Sequence, residues 1–341
     1  MITSFELFAG AGGCALGLEQ AGIHPVALVE NNKDACNTLR LNRPSWNIIE
    51  QDISTVDFTG FTGKVDIVTG GFPCQAFSQA GKHGGFDDPR GNIFFQFVRA
   101  LREVRPILFI AENVPAILTH NSGQTFQHIQ KTLSDLGYDV EYSVLNSCDY
   151  SVPQNRLRVI IIGALSCSGA RPQFPLPHVW KYTLKAALYA GSLYETNCPR
   201  SPGYSYSEAK KKVLDLVPPG GNWRNLSEDT QQKYMGKGFY STGGRTGIAK
   251  RLSFDQPSPT ILCSPAQKQT ERCHPTETRP LTVRESARIQ TFPDDWQFCG
   301  SIASQYKQIG NALPVNMARA LGEAAVFYLN NVRYLYKKDY R

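Results

Sequence analysis

The sequence predicts an α/β protein: a Rossmann-like domain with a mostly parallel sheet, joined to a smaller, loop-rich domain. Three observations carry this expectation. Short β-branched runs alternate with helix-periodic segments as far as Gly163. A glycine-rich turn, Ala9-Gly10-Ala11-Gly12-Gly13, links the first strand to the first helix, the order of a nucleotide-binding βα unit. From about Pro172 the alternation stops: Pro, Gly, Ser and Tyr rise, periodicity fades, and regular structure resumes only near Arg279.

Residues 4–8 read as the first strand, followed by a helix to about Ala21 that Gly22 stops. Residues 25–29 form a second strand ending in Glu30, where an acidic residue grips a ribose, and residues 47–51 a third ending in Asp52. Either acid alone is an ordinary loop residue; an acid after each of two successive strands, beside the glycine loop, favours an adenosine-containing ligand. Residues 65–69 are a buried strand, and residues 93–105 a helix. Residues 107–111 are a strand running into Glu112-Asn113-Val114. In residues 124–136, Phe126, Ile129, Leu133 and Leu136 mark one helical face, which is core. Residues 140–145 and 159–163 are two more strands. Between them Arg156 and Arg158 point to one face of extended backbone, an arrangement that an ordinary surface pair also produces. Thr282-Val283-Arg284-Glu285 is a capping-box helix start, and residues 309–314 open an amphipathic helix to about Leu329.

The 341 residues, 41% hydrophobic, allow one large domain plus a smaller one and argue against global disorder. No apolar run reaches membrane-spanning length, and Glu6 interrupts the amino terminus where a signal peptide would be apolar. A soluble, cytoplasmic protein without a membrane partner is expected. The nine cysteines are scattered without close pairs, which disfavours a disulfide framework. Cys263, Cys273 and His274 lack a second ligand pair nearby, so no metal site is expected. Of the net charge of +7, residues 181–278 hold +6, from fourteen Lys and Arg against eight Asp and Glu. That local excess is the footprint of a nucleic-acid face. The stretch lacks the periodicity of a self-sufficient core and is expected to present side chains from loops.

The chemistry points to Gly70-Gly71-Phe72-Pro73-Cys74-Gln75-Ala76-Phe77-Ser78. Two glycines break the strand, Pro73 stiffens the turn, and Cys74 follows the carboxyl end of a strand, where open α/β sheets place ligands. A buried structural cysteine is the commoner fate, but these neighbours do not fill cores. Residues 79–91, with Gly81, Lys82, His83, Gly84, Gly85 and Arg90, read as a cationic lid over a phosphate backbone.

The segment from Gly71 to Ser78 resembles the catalytic motif of the DNA (cytosine-5)-methyltransferases of the bacterial restriction–modification type. The other motifs of that family follow in order: Phe5 to Gly13, Glu30 and Asp52, Glu112-Asn113-Val114, Gln154 to Arg158, Arg279 to Trp296, and Gln308 to Asn316. Glu6 departs from it, since many relatives have aspartate there. The resemblance implies S-adenosylmethionine as cofactor, held by Phe8, Ala9, Gly10, Gly12, Gly13, Glu30, Asn31, Asp52, Ile53, Gly71, Pro73 and Asn311. Cys74 would add as thiolate to carbon 6 of cytosine, Glu112 would supply a proton at ring nitrogen 3, Arg158 would hold the base and Arg156 would order the pocket. Ser78, Lys82, Arg90, Lys237, Arg245, Arg251 and Thr260 are the candidates for touching DNA, with Lys250 beside them. The implied domains are 1–175 for catalysis and cofactor, 176–278 for target recognition and 279–341 for a return to the catalytic domain. The partner is double-stranded DNA, with nucleoid association through it. A monomer is expected, and a cognate endonuclease would act on the same site without a stable complex.

Three rivals share some of these features. An RNA cytosine-5 methyltransferase on the same scaffold is disfavoured by the long basic insertion. A nicotinamide-dependent oxidoreductase leaves Cys74, Glu112 and Arg158 unexplained. A catalytically dead DNA-binding relative is disfavoured by the complete set of chemical residues.

Overall fold

Strand β1 (Ile2–Leu7) lies at the centre of a sheet because its side chains are buried on both faces, with Phe5 and Leu7 fully inaccessible. The computed structural model describes residues 1–72, 93–166, 170–240, 246–267 and 271–336. They divide into two compact units, one of residues 1–150, 157–178 and 313–341, the other of residues 151–156 and 179–312.

In the first unit β1 is followed by α1 (Gly13–Gln20), β2 (Ile23–Glu30), α2 (Lys33–Asn42), β3 (Ile48–Glu50) and β4 (Ile67–Gly70). Then come α3 (Ile93–Val104), β5 (Leu108–Asn113), α4 (Gln124–Ser134) and β6 (Tyr138–Asn146). A two-residue strand β7 (Gln154–Asn155) belongs to the second unit, and β8 (Leu157–Leu165) returns to the first. The order is β3-β2-β1-β4-β5-β8-β6. The first five strands are parallel, and β8 runs antiparallel to both of its neighbours. Strand order reverses at β1, so the loops after β1 and β4 open onto one crevice at the carboxyl ends of the strands, the place where such sheets bind ligands. The expected mostly parallel α/β sheet is present. Arg105 (φ 52) turns the chain out of α3, and Gly163 on β8 leaves room for the ring of its cross-strand partner Phe109. The expected single helix opening at residue 309 is two: Pro314 separates α9 (Ile302–Asn311) in the second unit from α10 (Val315–Tyr336) in the first.

The second unit corrects one expectation. Residues 181–278 do build a core, of Tyr206, Leu214, Val217, Trp223, Leu226, Met235, Ile248, Ala249 and Cys273. Its helices are short, α5 (Leu184–Leu188), α6 (Glu208–Leu214) and α7 (Glu228–Met235), and among the described residues a two-stranded ladder pairs β7 with β9 (Ser258–Pro259). Each is too brief to print a period on the sequence. Helix α8 (Val283–Ile289) starts with the reciprocal box of Thr282 and Glu285. No described helix is long and apolar enough to cross a membrane.

Candidate functional site

The chain leaves β1 through Phe8 at φ 59, a left-handed conformation that a non-glycine residue holds only where its surroundings impose it. The surroundings here are hydrogen bonds. The Ala9 amide donates to Val29 O at 3.1 Å and the Gly10 amide to Glu30 Oε2 at 2.8 Å. Gly10 (φ 54) and Gly12 (φ 83) complete the turn, and Gly13 opens α1. Glu30 Oε1 accepts the amides of Asn31 and Asn32 at 2.9 and 2.7 Å, fixing the entry to α2. Three of the roughly four lone-pair positions of this carboxylate are thereby filled, and the fourth is on Oε2. Asn32 caps α2 by accepting from Ala35 N at 3.0 Å, a role the Asn before a helix signals and the sequence reading passed over. Asp52 accepts from the hydroxyl and amide of Ser54, which hold its carboxyl below the usual range. Ile53 is buried, and its carbonyl accepts from Arg99 Nη2 at 2.7 Å, while the Arg99 guanidinium lies over the Phe58 ring.

Under this loop, Glu6 is 3% exposed on β1, between Leu28 of β2 and Thr69 of β4. Burial pushes its carboxyl up to about 8; the Cys14 thiol donates to it and opposes the rise, and the charge of Glu30 adds to it. Its Oε2 has no hydrogen-bond partner among the described residues.

The other side of the crevice is built by β4, β5 and β8. Phe72 is buried against Phe94 and Phe97, and its carbonyl accepts from Asn113 Nδ2 at 2.9 Å. Glu112, beside Asn113 on β5, forms an ion pair with Arg158 of β8. The antiparallel register sets Glu112 opposite Ile160, two residues from Arg158 on the same face. A Cβ at Gly71 would stand 3.1 Å from Glu112 Oε2. Gly71, Glu112 and Arg158 are thus brought together where the segment with Pro73 and Cys74 begins. Pro73, Cys74, Ser78, Lys82, Arg90 and Arg245 lie outside the described residues. Among the described residues no cluster of His, Cys, Asp and Glu could hold a metal ion.

In the second unit Arg156 is buried, its guanidinium donating to Gly310 O at 3.1 Å and Ile261 O at 3.5 Å. Gln154 Oε1 accepts from Ile261 N at 2.8 Å, and its amide reaches Gln290, which in turn donates to the carbonyls of Ile309 and Ala312. This network holds the backbone beside Thr260, whose hydroxyl donates to Asn155 O at 2.9 Å. Asn311 is exposed and accepts from Cys263 Sγ at 3.1 Å. Lys237 is exposed on a 3₁₀ turn, Gly236–Tyr240. Arg251 is a correction. It is 4% exposed and donates to the carbonyls of Val217, Leu214 and His274 and to the Thr278 hydroxyl, so its donors tie loops together instead of facing DNA.

The profile of the C-5 cytosine-specific DNA methylases matches residues 2–326. The Type II methyltransferase M.Eco47II of Escherichia coli is 53% identical over 333 residues, 97% of this chain and 80% of its own length. The Type II methyltransferase M.Sau96I of Staphylococcus aureus is 47% identical over 333 residues, 96% of this chain and 76% of its own. Among solved structures, the S. pombe Dnmt2 methyltransferase superposes with a TM-score of 0.64 at 17% identity, over 97% of this chain and 100% of that one, a likeness of fold.

Proposed function

The chain belongs to the C-5 cytosine-specific DNA methylases, and on that premise we propose that it moves a methyl group from S-adenosylmethionine to carbon 5 of a flipped-out cytosine in duplex DNA, through a covalent Cys74 adduct. The observation that carries this reading is the Glu112–Arg158 ion pair beside Gly71, at the root of the Cys74 segment.

The cofactor supplies an electrophilic methyl group on a sulfonium. Phe8, Gly10 and Gly12 would hold it along the left-handed loop. The remaining acceptor position on Glu30 suits a ribose hydroxyl, and Asp52 suits the adenine amine. Carbon 5 of cytosine is a weak nucleophile on its own. The Cys74 thiolate adds to carbon 6 while Glu112 delivers a proton to ring nitrogen 3, which makes the ring an enamine nucleophilic at carbon 5. Arg158, paired with Glu112, holds the base through its exocyclic oxygen. After methyl transfer, Glu112 takes back the proton of ring nitrogen 3, and loss of the carbon-5 proton to a base returns the electron pair to the ring and expels the thiolate. A stacked base cannot reach these groups, and extruding it costs a few kcal/mol. Arg156 acts at one remove, by fixing the backbone of Ile261 and Gly310. Residues 176–278 read the DNA sequence, the chain acts as a monomer, and its biological setting is a restriction–modification system in which an endonuclease shares its site.

Labelled methyl transfer to duplex DNA, to RNA, or to neither separates the reading from its rivals. Cys74→Ser is expected to bind duplex and cofactor but transfer no label, and duplex carrying 5-fluorocytosine to trap a covalent complex with the parent enzyme. Turnover by the serine variant near the parent rate would overturn the nucleophile assignment.

A further inference from the structure

The second unit has a cavity of about 330 Å³ whose lining includes Asn155, Lys250, Ser253, Gln256, Thr260 and Arg272. Two of these are cations and, among the described residues lining it, none is a carboxylate. Arg272 is 9% exposed, and its Nε has no hydrogen-bond partner among the described residues, although Nη1 donates to Glu271 O at 2.8 Å. Lys250 is half-buried, with Nζ donating to Gly220 O at 2.5 Å. Burial lowers the proton affinity of both side chains, and the charge of Arg272 lowers that of Lys250 further. Glu271, next in the chain, is fully buried and bonded to Lys210 Nζ and the Tyr234 hydroxyl at 2.7 Å each and to the Ala249 amide at 2.5 Å; it does not line the cavity, and its charge offsets only part of the effect of burial on Arg272.

Two neighbouring, partly desolvated cations with no facing carboxylate are unfavourable unless an anion joins them. A guanine edge offers its two neutral acceptors to one arginine or lysine; two cations converging on one cavity match the charge and the several oxygens of a phosphate. The cavity is also adjacent in the chain to the chemistry, since Asn155 pairs with Pro259 and stands three residues before Arg158.

We propose that this cavity seats one phosphate of the DNA backbone between Lys250 and Arg272, and so sets the register of the recognition unit on the duplex. The inference rests on the reading of the chain as a DNA methyltransferase. Its test is the salt dependence of duplex binding by the parent protein, Lys250→Gln and Arg272→Gln, followed by anisotropy from about 50 to 200 mM salt. Each variant is expected to bind about tenfold more weakly at low salt and to lose about 1 from the slope of log K against log salt, with cofactor affinity unchanged. A scan of single uncharged methylphosphonate linkages, which needs no variant, is expected to find one position that weakens the parent protein about tenfold and weakens Arg272→Gln no further. If duplex is bound and methylated but neither slopes nor scan respond, the inference is overturned and the methyltransferase reading stands. If no duplex is bound or methylated at all, both fall. If inorganic phosphate raises the melting temperature of the parent but not of Arg272→Gln, while the slopes stay equal, the cavity holds a free anion and the DNA assignment is wrong.

Discussion

At the scale of single residues, the crevice depends on side chains that touch one another more than on side chains awaiting a ligand. Gly71→Ala tests this. The added methyl would stand 3.1 Å from Glu112 Oε2, so the carboxylate must shift against Arg158. Methyl transfer is expected to fall at least tenfold, while the urea midpoint moves by less than the equivalent of about 1 kcal/mol. Equal losses of activity and stability would show that Gly71 is needed for folding alone. Glu6 carries a pH signature. Its carboxyl titrates near 8 when folded and near 4.5 when unfolded, so the folded state binds the extra proton between those values. The contribution is complete below about pH 4.5 and is lost as pH rises to about 8, at no more than about 1.4 kcal/mol per pH unit. Urea titrations across that window are expected to show a shallower decline for Glu6→Gln; parallel curves would refute the assignment.

Elements differ in how plainly the sequence announces them. Strands β1, β4 and β8 are buried on both faces and stand out as β-branched or aromatic runs, and the Thr282–Glu285 box is visible four residues at a time. Thr282→Ala is expected to lower stability by about 1 kcal/mol, read as a shift in urea midpoint with unchanged slope. The second unit was opaque for a physical reason. Its order comes from buried arginines that gather acceptors distant in sequence: Arg251 joins the carbonyls of residues 214, 217 and 274 and the Thr278 hydroxyl, and Arg288 joins the carbonyls of 187, 196 and 197. No local period encodes such a hub, and the same feature made Arg251 look like a surface cation. Arg272 belongs to no motif or period that would single it out in the sequence, and its neighbour Glu271 is bonded to Lys210 and Tyr234. In the crevice, Glu30 was legible because Asp52 follows the next strand and both stand beside the glycine loop, and Glu112 because Glu112-Asn113-Val114 resembles a family motif.

For the molecule as a whole, exchanging residues 176–278 for those of a relative with another specificity is expected to redirect methylation and leave cofactor affinity unchanged. A chimaera that binds cofactor and still marks the original site would return specificity to the rest of the chain. The contact of α1 with α10 has a different kind of consequence. A Cβ at Gly17 would lie 2.4 Å from Val315 O and 2.5 Å from the Ala318 methyl, so the two backbones touch with no room for a side chain. Helix α1 is therefore completed by residues translated some three hundred codons later. At about 5–20 residues per second, the ribosome leaves the glycine face of α1 uncovered for on the order of 15–60 s. All the strands of the sheet are made long before that, but Leu18, Ala21 and Ile23, which the backbone of α10 approaches at Gly322, wait without part of their native cover until that helix is made.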